Sequence, residues 1–177
     1  MVRSRHEKYM KLDICGGNTK IYKDFLNVDG RSGPQVDIVA DIRKPLPFKD
    51  SEVEEILSVA TLEHLIINQA NRLIKEFYRI LKYGGTLSIG VPDMKKICES
   101  YINKTLPHTL LNQYIYGQLF ETSIMEFDCH KSIYDFTVLK NMLEVAGFRE
   151  ITEVPYNYPM HRKDLMIKII CQKPYVQ

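Results

Sequence analysis

A glycine pair and a series of carboxylates recur where short apolar runs of this 177-residue chain break off. The run at 11–15 ends in Cys15-Gly16-Gly17-Asn18 and the run at 25–28 in Asp29-Gly30. The run at 36–40 ends in Asp41-Ile42, that at 55–59 in Ala60-Thr61-Leu62-Glu63-His64, and that at 86–91 in Pro92-Asp93. Glycines after a strand let a ligand approach the backbone, since no Cβ stands in the way. A carboxylate closing the next run can accept both hydroxyls of a ribose. Together these types suit a nucleoside-containing cofactor. There is no G-x-G-x-x-G fingerprint and no P-loop pattern, which disfavours a dinucleotide or a triphosphate. A nucleoside without phosphates fits better.

Three side chains qualify as a general base: His130, in the polar stretch Asp128-Cys129-His130-Lys131, with Asp93 and His64 as alternatives. Each residue also has a plain structural reading. Gly16 and Gly17 can form a mere turn, Asp29 can cap the turn at 30–33, and Asp41 can be a turn carboxylate ahead of Pro45 and Pro47. Glu63 and His64 can flank the following helix, Asp93 can be its own helix's N-cap, and His130 can be a surface histidine. Tyr101, Tyr114, Tyr116 and Phe120 can be ordinary helix packing. Cys15, Cys98, Cys129 and Cys171 are scattered, with no C-x-x-C pair or zinc-like spacing. They read as free thiols in a reducing compartment, Cys15 as a small buried residue, and no metal site is expected.

The elements that must position these residues follow from the apolar pattern. The five runs read as buried strands of a largely parallel sheet. Between the fourth and fifth, Ala70, Leu73, Ile74, Phe77 and Leu81 recur at helical spacing, with Gly84 and Gly85 as the stop. Asp93 starts a helix to about residue 103, a second helical stretch spans 109–120, and Asp135 or Thr137 caps a third that Gly147 ends. Two last strands, at 149–154 and 165–172, are joined without a helix. This predicts one α/β domain over 1–177: a Rossmann-like, seven-stranded, mostly parallel sheet with an antiparallel last strand and helices on both faces. The connection at 29–35 is too short for a helical crossover. Either a bare loop crosses there or those two strands are not paired.

The composition, 45% hydrophobic and 26% charged, is that of a globular domain. Residues 1–88 carry 14 basic against 12 acidic side chains and residues 89–177 carry 10 of each, so neither half has the positive excess that tracks phosphates. Nucleic acid is therefore an unlikely partner. The apolar stretch at 165–171 is far short of a membrane span, which is about 20 residues. A cytoplasmic location is expected, and nothing indicates the oligomeric state.

KLDICGGN (11–18), NVD (27–29), VADI (39–42), LPF (46–48), LEHL (62–65), EFYRILKYGG (76–85) and AGF (146–148), in this order, resemble class I S-adenosylmethionine-dependent methyltransferases. The likeness is to small bacterial members with shortened early helices, over about residues 10–172. It implies S-adenosylmethionine as cofactor. Asp13 and the backbone of Cys15, Gly16 and Gly17 would meet its methionine part, Asp29 the ribose, Asp41 and Ile42 the adenine, and Ala60 and Thr61 the amino acid end. The family loop usually reads G-C-G, and here Cys15 brings a side chain where the loop often has none. Acceptor pockets of this fold are built between the fifth and sixth strands, here 94–134. That insert has four Lys against three Glu and one Asp, with four Tyr and two His. It suits a small polar acceptor such as a sugar or metabolite. A cofactor-binding regulatory module without methyl transfer, and a nicotinamide-dependent oxidoreductase, are the rival readings.

Overall fold

The computed structural model describes residues 10–117 and 128–175. Seven strands form one sheet: β1 (Lys11–Ile14), β2 (Leu26–Asp29), β3 (Ile38–Val39), β4 (Val53–Val59), β5 (Leu81–Pro92), β6 (Arg149–Val154) and β7 (Met166–Gln172). Their order is β3-β2-β1-β4-β5-β7-β6. The first five pair in parallel, and β7 runs antiparallel to both β5 and β6. The chain leaves β1 toward β2 on one side and reaches β4 on the other. The carboxyl ends of β1 and β4 thus flank the switch point where open α/β sheets bind ligands.

Among the described residues four α-helices follow the predicted pattern: α1 (Ile67–Ile80), α2 (Met94–Ile102), α3 (His108–Tyr116) and α4 (Phe136–Ala146). Phe120 lies outside the described residues. Asp93 caps α2 by accepting from Lys95 N and Lys96 N, and Asp135 caps α4 by accepting from Val138 N. Gly147, at φ 107°, supplies the left-handed stop of α4. The expected stop of α1 is different. The helix runs straight into β5 at Leu81, and Gly84 and Gly85 belong to that strand. They lie where the register jumps from Val53 opposite Leu81 to Glu55 opposite Thr86. A Cβ on Gly85 would stand 2.9 Å from the Glu54 and Lys82 carbonyl oxygens. These glycines admit a bulge where a helix stop was expected.

One face of the sheet, with Leu12, Ile14, Ile56, Leu87, Ile89, Ile167 and Ile169, packs on Leu73, Ile74, Phe77 and Ile80 of α1 and Leu139 and Leu143 of α4. The opposite face carries Leu57, Val59 and Met166 and is covered by Phe25, Tyr156 and Tyr158, with Tyr114 of α3 against them. Helices α2 and α3 share a smaller cluster around Ile97, Leu106 and Leu165. Among the described residues no α-helix connects β1 to β2, β2 to β3, or β3 to β4.

A bare loop does make the short crossing, and β2 and β3 pair in parallel. Polar side chains replace the missing helix. Asp37 Oδ2 accepts from Asn27 N at 2.8 Å and from Lys20 Nζ at 2.7 Å. Asn27 Nδ2 donates to the Gly17 and Gln35 carbonyls, both at 2.8 Å. No described helix is long and apolar enough to cross a membrane.

Candidate active site

The turn after β1 is built on left-handed backbone, with Cys15 at φ 62° and Gly17 at φ 59°. For Cys15 that conformation costs about 1–2 kcal/mol, which is the physical reason a glycine is favoured there. Gly16 is held by packing. A Cβ on it would lie 2.8 Å from Asn27 Oδ1 and 3.0 Å from Asp13 Oδ2. Both oxygens are buried without a hydrogen-bond partner. Burial pushes the Asp13 carboxyl up to about 6, against the backbone bond at Ile21 and the charge of Lys20. Asn27, which the sequence reading used only as part of a motif, therefore anchors the glycine turn. Its signal was a fully polar amide inside an apolar run.

Asp29 closes β2 and is buried. Its Oδ2 accepts from Gly17 N at 3.1 Å and its Oδ1 from Arg31 N at 2.8 Å. A carboxylate has about four acceptor sites, so each oxygen keeps one for a ligand hydroxyl. Asp41 is bound by its own neighbour Arg43, Nε to Oδ1 at 2.9 Å and Nη2 to Oδ2 at 3.1 Å. The guanidinium holds the Asp41 carboxyl below its ordinary range.

At the end of β4, Ala60 is also left-handed, at φ 51°. Thr61 is buried, with its hydroxyl 3.1 Å from the Ile14 carbonyl oxygen, which ties the β4 turn to β1. A cavity of about 250 Å³ opens between these strand ends. Cys15, Asp29, Asp41, Ile42, Ala60 and Thr61 all line it, as do His64, Asp128 and Lys131. Six of the nine expected cofactor residues thus share one wall. Asp13, Gly16 and Gly17 stand behind it.

The predicted bases separate. Asp93 is spent on its helix cap and an ion pair with Lys96 at 3.5 Å, and of the three candidates only His64 lines the cavity. His64 and His130, 66 positions apart, meet with ring centroids 4.9 Å apart. The segment carrying His130 is laid across the β4 turn. Lys131 N donates to the Glu63 carbonyl at 2.7 Å, and Ser132 Oγ donates to that of Leu65 at 2.7 Å. Glu63, read from sequence only as a helix-flanking residue, is 2% exposed beside them. Its Oε2 has no partner. Burial raises the Glu63 carboxyl to about 8 and lowers His64 to about 4, aided there by His130. It lowers His130 as well. One donor atom from each of Glu63, His64 and His130 lies within 4.8 Å of the others. All four cysteines are free thiols, and burial pushes Cys15 up to about 12, which favours the thiol over the thiolate.

Comparison with known proteins agrees with this geometry. The sequence profile described as a methyltransferase domain matches residues 1–89. The structure is similar to a methyltransferase of Methanosarcina mazei described as S-adenosylmethionine-dependent, with 20% identity, a TM-score of 0.65, and coverage of 94% of this chain and 93% of that one. A methyltransferase of Archaeoglobus fulgidus, likewise described, gives 16% identity and a TM-score of 0.61, covering 93% and 86%. Human N-acetylserotonin methyltransferase, solved with S-adenosylmethionine, gives 17% and 0.60, covering 93% of this chain and 47% of that one. At these identities the likeness concerns the fold. No curated protein matches the sequence.

The chain belongs to the methyltransferase domain family and is a class I S-adenosylmethionine-dependent methyltransferase. Its residues fit that cofactor: Asp29, on the cavity wall, keeps an acceptor site on each oxygen, as a pair of ribose hydroxyls would require.

Proposed function

We propose that the acceptor is a hydroxyl group of a small polar molecule, a sugar or comparable metabolite, and that it meets the cofactor at the β4 turn. The observation that carries this reading is that His64, which lines the cavity with Ala60 and Thr61, meets Glu63 and His130 there. These are polar groups for activating an oxygen, placed where the amino acid end of the cofactor is expected. The sequence of the 94–134 insert, with no net charge, supports a neutral acceptor over a polyanion. Free thiols throughout support a cytoplasmic location.

When bound, S-adenosylmethionine supplies an electrophilic methyl group on a sulfonium. The chain's own residues align the partners. Asp29 fixes the ribose, Ile42 packs at the adenine end with Asp41 beside it, and the Cys15-Gly16-Gly17 backbone receives the methionine part. Alignment of this kind is worth about 7–11 kcal/mol in favourable cases. His130, with His64 beside it, addresses the acceptor oxygen. Asp93 holds α2 in place as its cap.

The test is a panel of small hydroxyl compounds, sugars and phenols, together with RNA and DNA, incubated with isotopically labelled methyl donor. Label on a small hydroxyl compound is the expected result. Label confined to nucleic acid would overturn the reading.

A further inference from the structure

Three features of the Glu63, His64 and His130 group go beyond what a pair of candidate bases requires. First, both imidazoles are fixed through the same nitrogen to a group that can only accept. His130 Nδ1 lies 2.8 Å from the Tyr114 carbonyl oxygen, and His64 Nδ1 lies 3.3 Å from that of Cys129. Each Nδ1 therefore carries the hydrogen, and in the neutral ring the free lone pair is on Nε2. Backbone carbonyls fixing Nδ1–H is the usual outer support of a metal-binding histidine. Second, Glu63 Oε2 is buried and unpartnered, although a buried carboxylate oxygen ordinarily has a donor. Third, the three donors converge within 4.8 Å, one from each residue.

We propose that Glu63, His64 and His130 form a binding site for a divalent first-row transition-metal cation. Two imidazole nitrogens and one carboxylate favour Mn²⁺, Co²⁺, Fe²⁺ or Zn²⁺ over Mg²⁺, which prefers an all-oxygen shell. Three protein ligands leave coordination positions open, the arrangement of catalytic rather than structural sites.

The role of this site rests on the proposed hydroxyl acceptor. Next to the cavity wall at Thr61 and His64, an open position takes the acceptor hydroxyl. Cation-bound oxygen acids ionise far more readily, with bound water brought down to about 7 in the strongest cases. The hydroxyl releases its proton to water. Its oxygen bonds to the methyl carbon as the carbon–sulfur bond breaks, and the electron pair stays on sulfur. The products are a methyl ether, the demethylated thioether and a proton. His64 and His130 then act as ligands, and neither has to take up a proton beside the other.

The experiment reads cation binding directly, without acceptor. Full-length protein stripped with chelator is titrated with Co²⁺ alone by visible absorption, and with Mn²⁺ alone by electron paramagnetic resonance. The expected result is one site per chain, weakened at least about tenfold in His130→Ala and in Glu63→Gln, as loss of a ligand requires. His161→Ala, outside the group, should bind as the parent does. Calorimetric binding of the demethylated cofactor, measured on the same samples, shows that each variant is folded. Absence of saturable Co²⁺ and Mn²⁺ binding in protein that still binds the demethylated cofactor would overturn the cation site. So would equal affinity in parent, His130→Ala and Glu63→Gln. Saturable binding lost in both variants supports the site even when no hydroxyl compound in the acceptor panel is methylated, so the two readings fail separately.

Discussion

Replacing Asp29 by alanine tests the cofactor side of the site most sharply. Each of its oxygens already accepts one backbone N–H, from Gly17 and from Arg31, and keeps one acceptor site for a ribose hydroxyl. Hydrogen bonds to a charged group are worth about 1.5–3 kcal/mol each. Water entering the space left by the carboxylate returns part of that, so a loss of about 2–4 kcal/mol is expected for two. That is a fall in affinity of roughly 30- to 1000-fold. Asp29→Asn should lose nearly as much. Whichever way its amide is turned, the NH₂ faces one of the two backbone donors, and only one oxygen remains to accept. The two backbone bonds lost in Asp29→Ala are worth as much, about 2–4 kcal/mol together once water returns its part, lowering Tm by about 4–16 °C in a chain of this size. Titration calorimetry with the demethylated cofactor, well below the variant's Tm, separates affinity from stability. An Asp29→Ala affinity within threefold of the parent would refute the ribose assignment.

Three further outcomes follow from the same geometry. Gly117→Ala should spoil the acceptor side alone. At φ 81° its Cβ would stand 2.3 Å from the Asp128 carbonyl oxygen and 3.0 Å from His130 N, so Co²⁺ affinity should fall at least about tenfold while demethylated-cofactor affinity holds. Unchanged Co²⁺ binding would count against this placement of His130. Asp13→Asn should flatten part of the pH profile of stability. The folded carboxyl titrates near 6 and the unfolded one near 3.8, so the native state holds the extra proton in this window, and the contribution is present below it and lost as pH rises through 6. Relative to the parent, urea unfolding should show Asp13→Asn gaining about 3 kcal/mol between pH 3.5 and pH 7.5. A parallel pair of profiles would show that Asp13 is ionised at its ordinary value. At Cys15, the φ of 62° should make Cys15→Gly more stable than Cys15→Ala by about 1 kcal/mol, the reverse of the order in a helix. Equal Tm values would remove the argument for strain at that turn.

Local chemistry was legible because the interacting groups are close in sequence. Asp93 reaches N–H groups two and three positions on, Asp135 reaches Val138, and Gly147 stops α4 by its own left-handed backbone. The strand ends of the cavity were legible for a related reason. In a parallel sheet every strand's carboxyl end lies at one edge, so Cys15, Asp29, Asp41, Ala60 and Thr61 come together once the strands are recognised. Gly84 and Gly85 misled because a glycine pair serves a bulge as well as a helix stop, and only the partner strand decides between them.

By itself, then, the order of apolar runs and turn residues determined the strands and the edge at which the cavity opens, and pointed to a nucleoside, while the resemblance of the motifs named the cofactor. Periodicity and capping act over a few residues and carry that information along the chain. The tertiary structure alone decided the acceptor side. His130 reaches Glu63 and His64 because Lys131 N and Ser132 N donate to the Glu63 carbonyl, Ser132 Oγ donates to that of Leu65 and His64 Nδ1 meets that of Cys129, and Gly117 leaves room for that crossing. The acceptors are backbone carbonyls, which every residue carries and which leave no signature in the sequence. The crossing brought the candidate bases His64 and His130 together with the buried Glu63, because contact across 66 positions is set by packing and leaves no trace in spacing.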